Sequence, residues 1–185
     1  ITPFTSLCSS ATLAADITAW LNGVTATDNC GNVTITNDFD PANLPASGCA
    51  AITITFTATD ECTNSTTIAS TITLTDNVAP VFDPITPFTS LCSSATLAAD
   101  ITAWLNGVTA TDNCGNVTIT NDFDPANLPA SGCAAITITF TATDECTNST
   151  TIASTITLTD NVAPVFDPIT PFTSLCSSAT LAADI

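Results

Sequence analysis

The chain has 185 residues, of which 17 are acidic and none is Lys, Arg or His, so its formal net charge is −17. Because phosphate contacts require cationic side chains, this charge excludes nucleic acids and anionic membrane surfaces as partners. Hydrophobic residues make up 45% of the chain, which predicts a packed core, and no apolar run approaches the roughly 20 residues that a membrane span requires.

The first predicted element is a short helix between Ser9 and Gly23. Its apolar residues recur at helical spacing and are Leu13, Ile17, Trp20 and Leu21. Ser9 or Ser10 is the expected N-cap, and the pair Asn22-Gly23 is the expected end, because Gly commonly stops a helix.

Four strands are predicted after this helix. Two short strands contain Val24 and Ala26, then Val33 and Ile35, and the turn DNCGN between them predicts a β-hairpin. After the Pro-rich loop DFDPANLPASG, two long strands alternate apolar residues with Thr, which predicts one buried face for each. The predicted inward residues are Ile52, Ile54, Phe56 and Ala58, then Ile68, Ile72 and Leu74. This order predicts an all-β fold, a small antiparallel β-sandwich with one short helical insertion.

The whole pattern occurs more than once. Residues 85–185 repeat residues 1–101 without a substitution, at an offset of 84 residues. A unit of this length can fold alone, so the sequence predicts a tandem array of like domains. The chain begins at Ile1 rather than Met, and we expect it to be a piece of a longer array. The predicted domains are 1–79, which lacks the start of its first strand, the complete repeat 80–163, and the beginning of a third repeat, 164–185.

The cysteines predict disulfides formed in an oxidising compartment. They are Cys8, Cys30, Cys49, Cys62, Cys92, Cys114, Cys133, Cys146 and Cys176. Cys49 and Cys62 bracket a long strand, so they would lie roughly 40 Å apart. A disulfide requires Cα atoms within about 7 Å, so we reject that bond, and the scheme that combines it with Cys8–Cys30. The alternatives that remain open are Cys8–Cys49 with Cys30–Cys62, Cys8–Cys62 with Cys30–Cys49, or bonds between neighbouring repeats, with Cys176 pairing beyond the end of this chain.

Acidic side chains at the strand ends suggest Ca²⁺ ligands, because Ca²⁺ takes six to eight oxygen ligands and the chain has no cation to neutralise these groups. The alternative is a solvated acidic surface of turn-forming residues that keeps a long filament soluble. No cofactor is expected to be required. The candidate ligands are Asp28, Asp60, Glu61, Asp76, Asn77, Asp83, Asp112, Asp144, Glu145, Asp160, Asn161 and Asp167.

Catalysis is not predicted, because the chain has no His, Lys or Tyr to act as general acid, general base or activator of a nucleophile. The catalytic groups that remain are carboxylate pairs such as Asp38 with Asp40 or Asp60 with Glu61. A pair of carboxylates is the minimum that a glycosidase needs. Asp in a turn-rich loop commonly binds its own backbone instead. We therefore interpret these pairs as structural and the chain as not an enzyme.

Two segments resemble a known family. VTATDNCGNVTITNDF, at residues 24–39, and ITITFTATDECTNSTTIASTITLTDNVAPVF, at residues 52–82, resemble the tandem immunoglobulin-like repeats of the HYR type. Such repeats occur in giant bacterial cell-surface adhesins and filament proteins, often exported by type IX secretion. The resemblance covers essentially the whole repeat, apart from a longer helical stretch before Val24. It implies an Ig-like sandwich and an extracellular adhesive or stalk role.

The segment TDNVAPVF, which begins at Thr75, also resembles the boundary between cadherin repeats. In cadherins, Asp and Asn ahead of a Pro help to bind Ca²⁺ between domains. This likeness implies a similar use of Asp76 and Asn77, and it fits a rigid joint at Pro80.

Three functions follow from these observations. The first is a structural and adhesive extracellular array whose partners are neighbouring repeats. The second is a module that binds a surface glycan or ice, suggested by the regular Thr53, Thr55, Thr57 and Thr59; against it, outward Thr is ordinary on an exposed sheet face. The carboxylate enzyme comes last.

Overall fold

The computed structural model describes residues 1–46, 48–129 and 133–171, and Cys176 lies outside them. The first repeat contains β1 (Phe4–Leu7), α1 (Leu13–Asn22), β2 (Val33–Asn37), a 3-10 turn (Pro41–Asn43), β3 (Ala51–Asp60) and β4 (Ser65–Thr75). The second contains β5 (Val81–Phe82), β6 (Phe88–Leu91), α2 (Leu97–Asn106), β7 (Ala110–Thr111), β8 (Val117–Asn121), a second 3-10 turn (Pro125–Asn127), β9 (Ala134–Asp144) and β10 (Ser149–Thr159).

Each repeat is built on one four-stranded sheet, with strand order β1-β4-β3-β2 in the first and β6-β10-β9-β8 in the second. Most neighbours are antiparallel, as predicted, but β1 pairs with β4 in parallel and β6 pairs with β10 in the same way. The prediction of a purely antiparallel sandwich is therefore wrong at this edge. A parallel pair needs a long connection, which the helix and the strands between the two paired strands provide.

The long strands have the predicted alternation. In β3, Ile54 and Phe56 are buried, and in β4 Ile72 and Leu74 are buried, with Thr between them at the positions that face away. Ile68 is the exception, because it is exposed in the first repeat although the pattern places it on the inward face.

The helix lies on the buried face of the sheet. Ile17 is 1% exposed in the first repeat. Trp20 donates its indole N–H to the Thr2 carbonyl at 2.9 Å and contacts Phe56 edge to face at 5.4 Å between ring centroids. The helix ends at Asn22 before Gly23, as predicted, but it begins at Leu13 after Thr12. Ser9 and Ser10 are therefore not its N-caps.

The predicted hairpin around DNCGN is wrong. In the second repeat, β7 pairs with β5, and β8 pairs with β9, so the turn joins strands of two different sheets. Phe82 of β5 packs against the second core, on the same side of the sheet as α2. The helix packs against the core of the sheet in each repeat, and in the second repeat β5 packs there as well. The all-β class with one short helix in each repeat is confirmed.

Candidate metal centre at the joint between repeats

Two disulfides connect the first repeat to the second. Cys8 is bonded to Cys114 with 6.1 Å between Cα atoms, and Cys49 is bonded to Cys146 with 5.5 Å. The two bonds lie side by side. Gly48, which precedes Cys49, is so near the other bond that a Cβ added to it would come within 2.7 Å of the Cys8 sulfur. Within the described residues, neither of the pairings inside one repeat occurs. Of the alternatives that the sequence left open, the structure has bonds between neighbours.

Asp76 follows β4 at the centre of this joint. Its Oδ1 accepts hydrogen bonds from the backbone N–H of Val78 at 3.1 Å and from the side-chain amide of Asn113 at 3.2 Å. Its backbone carbonyl accepts a third from the Asn148 amide at 3.3 Å. Two amide side chains of the second repeat therefore hold the end of the first.

Two carboxylate oxygens at the joint are buried without a hydrogen-bond donor, Oδ2 of Asp76 and Oδ1 of Asp112. The other oxygen of Asp112 accepts from the backbone N–H of Cys114 at 2.8 Å. A buried anionic oxygen without a donor or a counter-charge is costly, and the chain contains no Lys, Arg or His to neutralise it. A bound cation or a shared proton would satisfy both oxygens.

The ionisation of Asp76 is governed by opposing effects. Burial disfavours the charged form, but hydrogen bonds from the Val78 amide, the Asn113 side chain and the Asn77 backbone, together with the side-chain contact to Asp112, outweigh it, so the pKa of Asp76 lies below its ordinary value of 3.8. Asp112 can donate to Asp76 only when it is protonated. With both groups ionised, that contact would need a cation in place of the proton.

Asp144 is the third acidic side chain at the joint and is 6% exposed. One of its oxygens lies within 4.8 Å of an oxygen of Asp76 and of the sulfur of Cys146. That sulfur belongs to a disulfide, which leaves oxygens as the ligands that a cation would meet. Asp144 already accepts from the backbone N–H groups of Cys146 and Asn148 and from the Asn148 amide. Carboxylates and nearby carbonyls fit a hard cation such as Ca²⁺.

The structure brings together the carboxylates of three of the twelve predicted ligands, Asp76, Asp112 and Asp144, whereas the others have different contacts or lie elsewhere. Asp83 accepts from the hydroxyl of Thr109 at 2.6 Å, beside the β5–β7 pair, and Glu145 accepts from the Asn116 amide at 3.1 Å. Asp160 accepts from the N–H of Val162 in the segment after β10. Asn77 follows Asp76 in the sequence, and its backbone N–H donates a hydrogen bond to Asp76. The remaining predicted ligands fall at the far end of the first repeat or in the segment after β10; they are Asp28, Asp60, Glu61, Asn161 and Asp167.

Asn113 and Asn148 contact the site and were not predicted. Each belongs to the second repeat and reaches Asp76 across 37 and 72 residues of sequence, respectively. The only signal for Asn113 was its place in the TDN triplet that also contains Asp112.

The acidic pairs considered for glycosidase chemistry bind nearby groups. Asp38 accepts from the N–H of Thr55, and Asp40 accepts from the N–H of Ala42 as the cap of the 3-10 turn. In the other pair, Asp60 accepts from the backbone and amide of Asn64, which lowers its pKa chiefly through the side-chain bond.

Glu61 completes the second pair and accepts from the Asn32 amide at 2.9 Å. All four carboxylates therefore have structural hydrogen bonds, and the two pairs hold local backbone and side chains in place.

Neither helix in the described part of the chain is long and apolar enough to cross a membrane. The predicted Thr face is present on β3, where Thr53 is exposed and Thr55, Thr57 and Thr59 are partly exposed. Across the strand, Thr53 pairs with Thr71 and Thr57 with Thr67, so the face is rich in hydroxyls on both strands.

No family model matches the chain, and no curated protein matches it. Among solved structures it is similar to Drosophila N-cadherin EC1-4, with 16% identity and a TM-score of 0.32, over 71% of this chain and 42% of that one. It is also similar to protocadherin gammaB7 EC3-6 (17%, TM-score 0.29, 74% and 45%) and to the protocadherin GammaB4 extracellular domain (15%, TM-score 0.29, 72% and 26%). The chain thus spans less than half the length of these structures. At such low scores the likeness supports no inference about ligands or partners, and the resemblance to HYR-type repeats stays a prediction.

Proposed function

We propose that this chain is part of an extracellular structural and adhesive array, a series of Ig-like domains that forms a stalk or filament on a bacterial surface and has no enzymatic activity. The observation that carries the proposal is the pair of disulfides at the joint, which connect one repeat to the next rather than stabilising each repeat by itself. Disulfides persist outside the reducing cytosol, and the excess of acidic groups keeps a long fibre soluble.

The domain boundaries proposed for the array are those of the sequence analysis, 1–79, 80–163 and 164–185. The pairing of Val81 and Phe82 with Thr111 and Ala110 supports a boundary near Pro80, because β5 bonds to the repeat that follows it. The backbone N–H of Asp83 extends this pairing by donating to the Thr109 carbonyl at 3.0 Å.

Two measurements test the array. Antibodies raised against the chain should label fibres on the outside of intact source cells, and labelling confined to the cell interior would contradict the proposal. In solution, small-angle scattering should give one fixed separation of the two repeats in the oxidised chain. Reduction should broaden the distribution of separations while the circular dichroism of each repeat is preserved. If reduction left that distribution unchanged, the disulfides would not be what orders the array.

We propose further that Ca²⁺ binds at the joint, between the donor-free oxygens of Asp76 and Asp112 and beside Asp144. The ion would neutralise these carboxylates and so tie the end of the first repeat to the second.

The repeats supply matched controls for this site. Asp76→Asn with Asp112→Asn should abolish stabilisation by Ca²⁺, whereas Asp160→Asn with Asp28→Asn, at the same two repeat positions away from the joint, should preserve it. The measurement is the melting temperature with calcium and with a chelator. Ligand present at 100 times its dissociation constant adds about 2.7 kcal/mol to stability. An unchanged melting temperature of the parent chain would rule the ion out.

The Thr face of β3 favours one second candidate, a surface that binds glycan or ice. Its test is a glycan array and an ice-recrystallisation assay on the chain, with Thr55→Ala and Thr57→Ala as the variant. A signal lost in the variant would support the alternative, and no signal from the parent chain would leave the array as the function.

A further inference from the structure

Two sulfur atoms and a carboxylate meet at the joint between the repeats. The Sγ atoms of Cys8 and Cys114 and an oxygen of Asp76 all lie within 4.8 Å of one another. Cys114 is 5% exposed, whereas Cys8 is partly exposed. Before the Cys8–Cys114 bond forms, both sulfurs belong to thiols. In that state the same three residues offer a metal ion two thiolates and one carboxylate.

The side chain of Asn113 donates toward the same atoms. Its Nδ2 lies 3.0 Å from the Cys114 sulfur, 4.0 Å from the Cys8 sulfur and 3.2 Å from Oδ1 of Asp76. A neutral sulfur is a weak acceptor, but a thiolate is charged, and charge-assisted hydrogen bonds are roughly twice as strong as neutral ones. Asn113 therefore stabilises the thiolate of Cys114 more than its disulfide, in the way that outer partners stabilise the ligands of a metal.

The joint has a second set of candidate ligands that differs in chemistry. An oxygen of Asp76, an oxygen of Asp144 and the sulfur of Cys146 also lie within 4.8 Å of one another. This set has two carboxylates and one sulfur, and Asp144 already accepts hydrogen bonds from Cys146 and Asn148. The side of the joint at Cys8 is therefore rich in sulfur, and the side at Asp144 is rich in oxygen. Thiolates select zinc and similar cations, whereas carboxylates suit Ca²⁺.

We propose that the thiol form of the chain binds Zn²⁺ at the joint through Cys8, Cys114 and Asp76. Zn²⁺ takes four ligands in a tetrahedron, with Zn–S distances of about 2.3 Å. The Cα atoms of Cys8 and Cys114 are 6.1 Å apart, so both thiolates can reach one ion. The carboxyl of Asp112, which contacts Asp76 and has a buried oxygen without a donor, is the fourth ligand.

The zinc ion belongs to the state of the joint that precedes the disulfide. The inference rests on the proposed function only in that both need the two repeats to meet at this joint. A bound ion holds Cys8 next to Cys114 rather than next to Cys30, although Cys30 and Cys114 have the same neighbours in sequence. The ion thus selects the partner of Cys8 before any bond is made, and it orders the reduced joint.

Oxidation then replaces the ion by the disulfide, and a small disulfide such as oxidised glutathione is the oxidant. The thiolate of Cys8, the more exposed of the two, attacks one sulfur of glutathione disulfide, which forms a mixed disulfide and releases a glutathione thiolate. The thiolate of Cys114 attacks the Cys8 sulfur and releases the second glutathione thiolate. The two cysteine thiolates lose two electrons, and the two glutathione thiolates take two protons from water. Zn²⁺ leaves because only thiolates bind it as sulfur ligands.

The test uses the full-length chain with Ser at the five cysteines that this joint does not use, which are Cys30, Cys62, Cys92, Cys133 and Cys176. Reduced with a phosphine, this parent should bind one Zn²⁺ per chain, measured by competition with a chromophoric chelator. With Co²⁺ as the probe it should show the charge-transfer absorption of thiolate ligands, and the oxidised parent should not. Small-angle scattering of the reduced parent should give a narrower distribution of repeat separations with Zn²⁺ than without it.

Two double variants of the parent identify the sulfur ligands. Cys8→Ser with Cys114→Ser should lower the affinity for Zn²⁺ at least about 100-fold, because it removes two direct ligands and even outer partners are worth about 10–100-fold. Cys49→Ser with Cys146→Ser removes the same number of thiols from the same joint and should leave the affinity close to that of the parent. Equal losses in the two variants would overturn the proposal, as would a reduced parent without the Co²⁺ charge-transfer absorption.

Two single variants identify the carboxylate and the donor. Asp76→Asn should lower the affinity about tenfold or more, and Asn113→Ala should lower it about tenfold, within the range for outer partners. Asp160→Asn and Asn29→Ala, at the same repeat positions away from the joint, are the controls and should change nothing. An unchanged affinity in Asp76→Asn would overturn the site, because Asp76 is the ligand that both sets share.

Oxidation separates the inference from the proposed function. Glutathione disulfide should release one Zn²⁺ per chain as Cys8–Cys114 appears in peptide maps, and an ion retained by the oxidised chain would contradict the exchange. If the reduced chain binds no Zn²⁺ while the oxidised chain has both Cys8–Cys114 and Cys49–Cys146, the inference alone fails and the array stands. If the oxidised chain lacks those bonds, the array proposal fails whichever result the metal gives.

Discussion

The two repeats have the same sequence and different surroundings, and among the described residues they differ in burial and in strand pairing. Ala142 is completely buried whereas its equivalent, Ala58, is partly exposed. The pair Ala110–Thr111 forms strand β7, whereas Ala26 and Thr27 form no strand. Because no side chain distinguishes the repeats, these differences come from the strand and the joint that precede the second repeat. Part of the fold of the second repeat is therefore supplied by the segment and the repeat that precede it.

Removal of both disulfides should lower the free energy of unfolding the most. The variant with Ser at Cys8, Cys49, Cys114 and Cys146 should lose about 4 kcal/mol of unfolding free energy, because each bond closes a loop of about 100 residues. Its control, with Ser at Cys30, Cys62, Cys92 and Cys133, changes the same four repeat positions where none is bonded and should lose less than about 1 kcal/mol. Urea unfolding of dilute protein measures both. Equal losses would mean that the bonds contribute nothing beyond their side chains.

A charge placed in the core should have the next largest effect. Ala142→Asp should cost about 3 kcal/mol or more, because the new carboxylate has no partner and no access to water. Ala58→Asp should cost about 1 kcal/mol, since water reaches this residue through an open cavity that it lines. The midpoints of thermal unfolding would show the difference, and two equal shifts would refute the claim that the neighbour seals the second core.

Strand β5, which pairs with β7, should give a smaller and local difference in stability between equivalent substitutions. Phe82→Ala should cost about 2 kcal/mol, because this partly buried ring packs against the second core. Phe166→Ala should cost almost nothing in dilute protein, where the same ring is exposed. Hydrogen exchange at the amides of β7 should accelerate only in the first variant. Acceleration in both would indicate that the segment after β10 already contacts the protein.

The smallest effect expected is that of pH at Asp76. Its folded pKa lies below the ordinary 3.8, so its contribution to stability is complete above pH 3.8 and is lost as the pH falls through the folded pKa. Asp76→Asn should therefore flatten the loss of stability on acidification, and Asp160→Asn, at the same repeat position away from the joint, should leave it unchanged. Unfolding by urea at about pH 6, 4 and 3 gives the slopes. A parallel shift of both curves would contradict this assignment.

The sequence predicted the elements whose signals are local. The alternation in β3 and the helical spacing of α1 follow from which side chains face the core, and both were predicted correctly. The start of the helix was wrong because Ser9, Ser10 and Thr12 offer similar caps. The hairpin at DNCGN was wrong because β7 pairs with β5, which precedes α2 in the sequence, and not with the strand that follows the turn.

The joint could be predicted only in part. Asp76 and Asp112 were identified because acidic residues at strand ends are visible in the sequence, but Asn113 and Asn148 are contacts made across the fold. The disulfide partners remained open for a specific reason. In identical repeats, Cys114 and Cys30 have the same neighbours in sequence, so only the packing of one repeat on the next distinguishes a bond within a repeat from a bond between repeats.

The position of the second disulfide has a mechanical consequence. Cys62 and Cys49 stand at the two ends of β3, and Cys146 and Cys133 stand at the two ends of β9. With Cys49 bonded to Cys146, an unbroken line of covalent bonds passes along β3, through the sulfurs and along β9. Tension applied at Cys62 and Cys133 would be borne by two strands that are already extended. Since an extended strand has almost no slack, neither repeat would need to unfold under load.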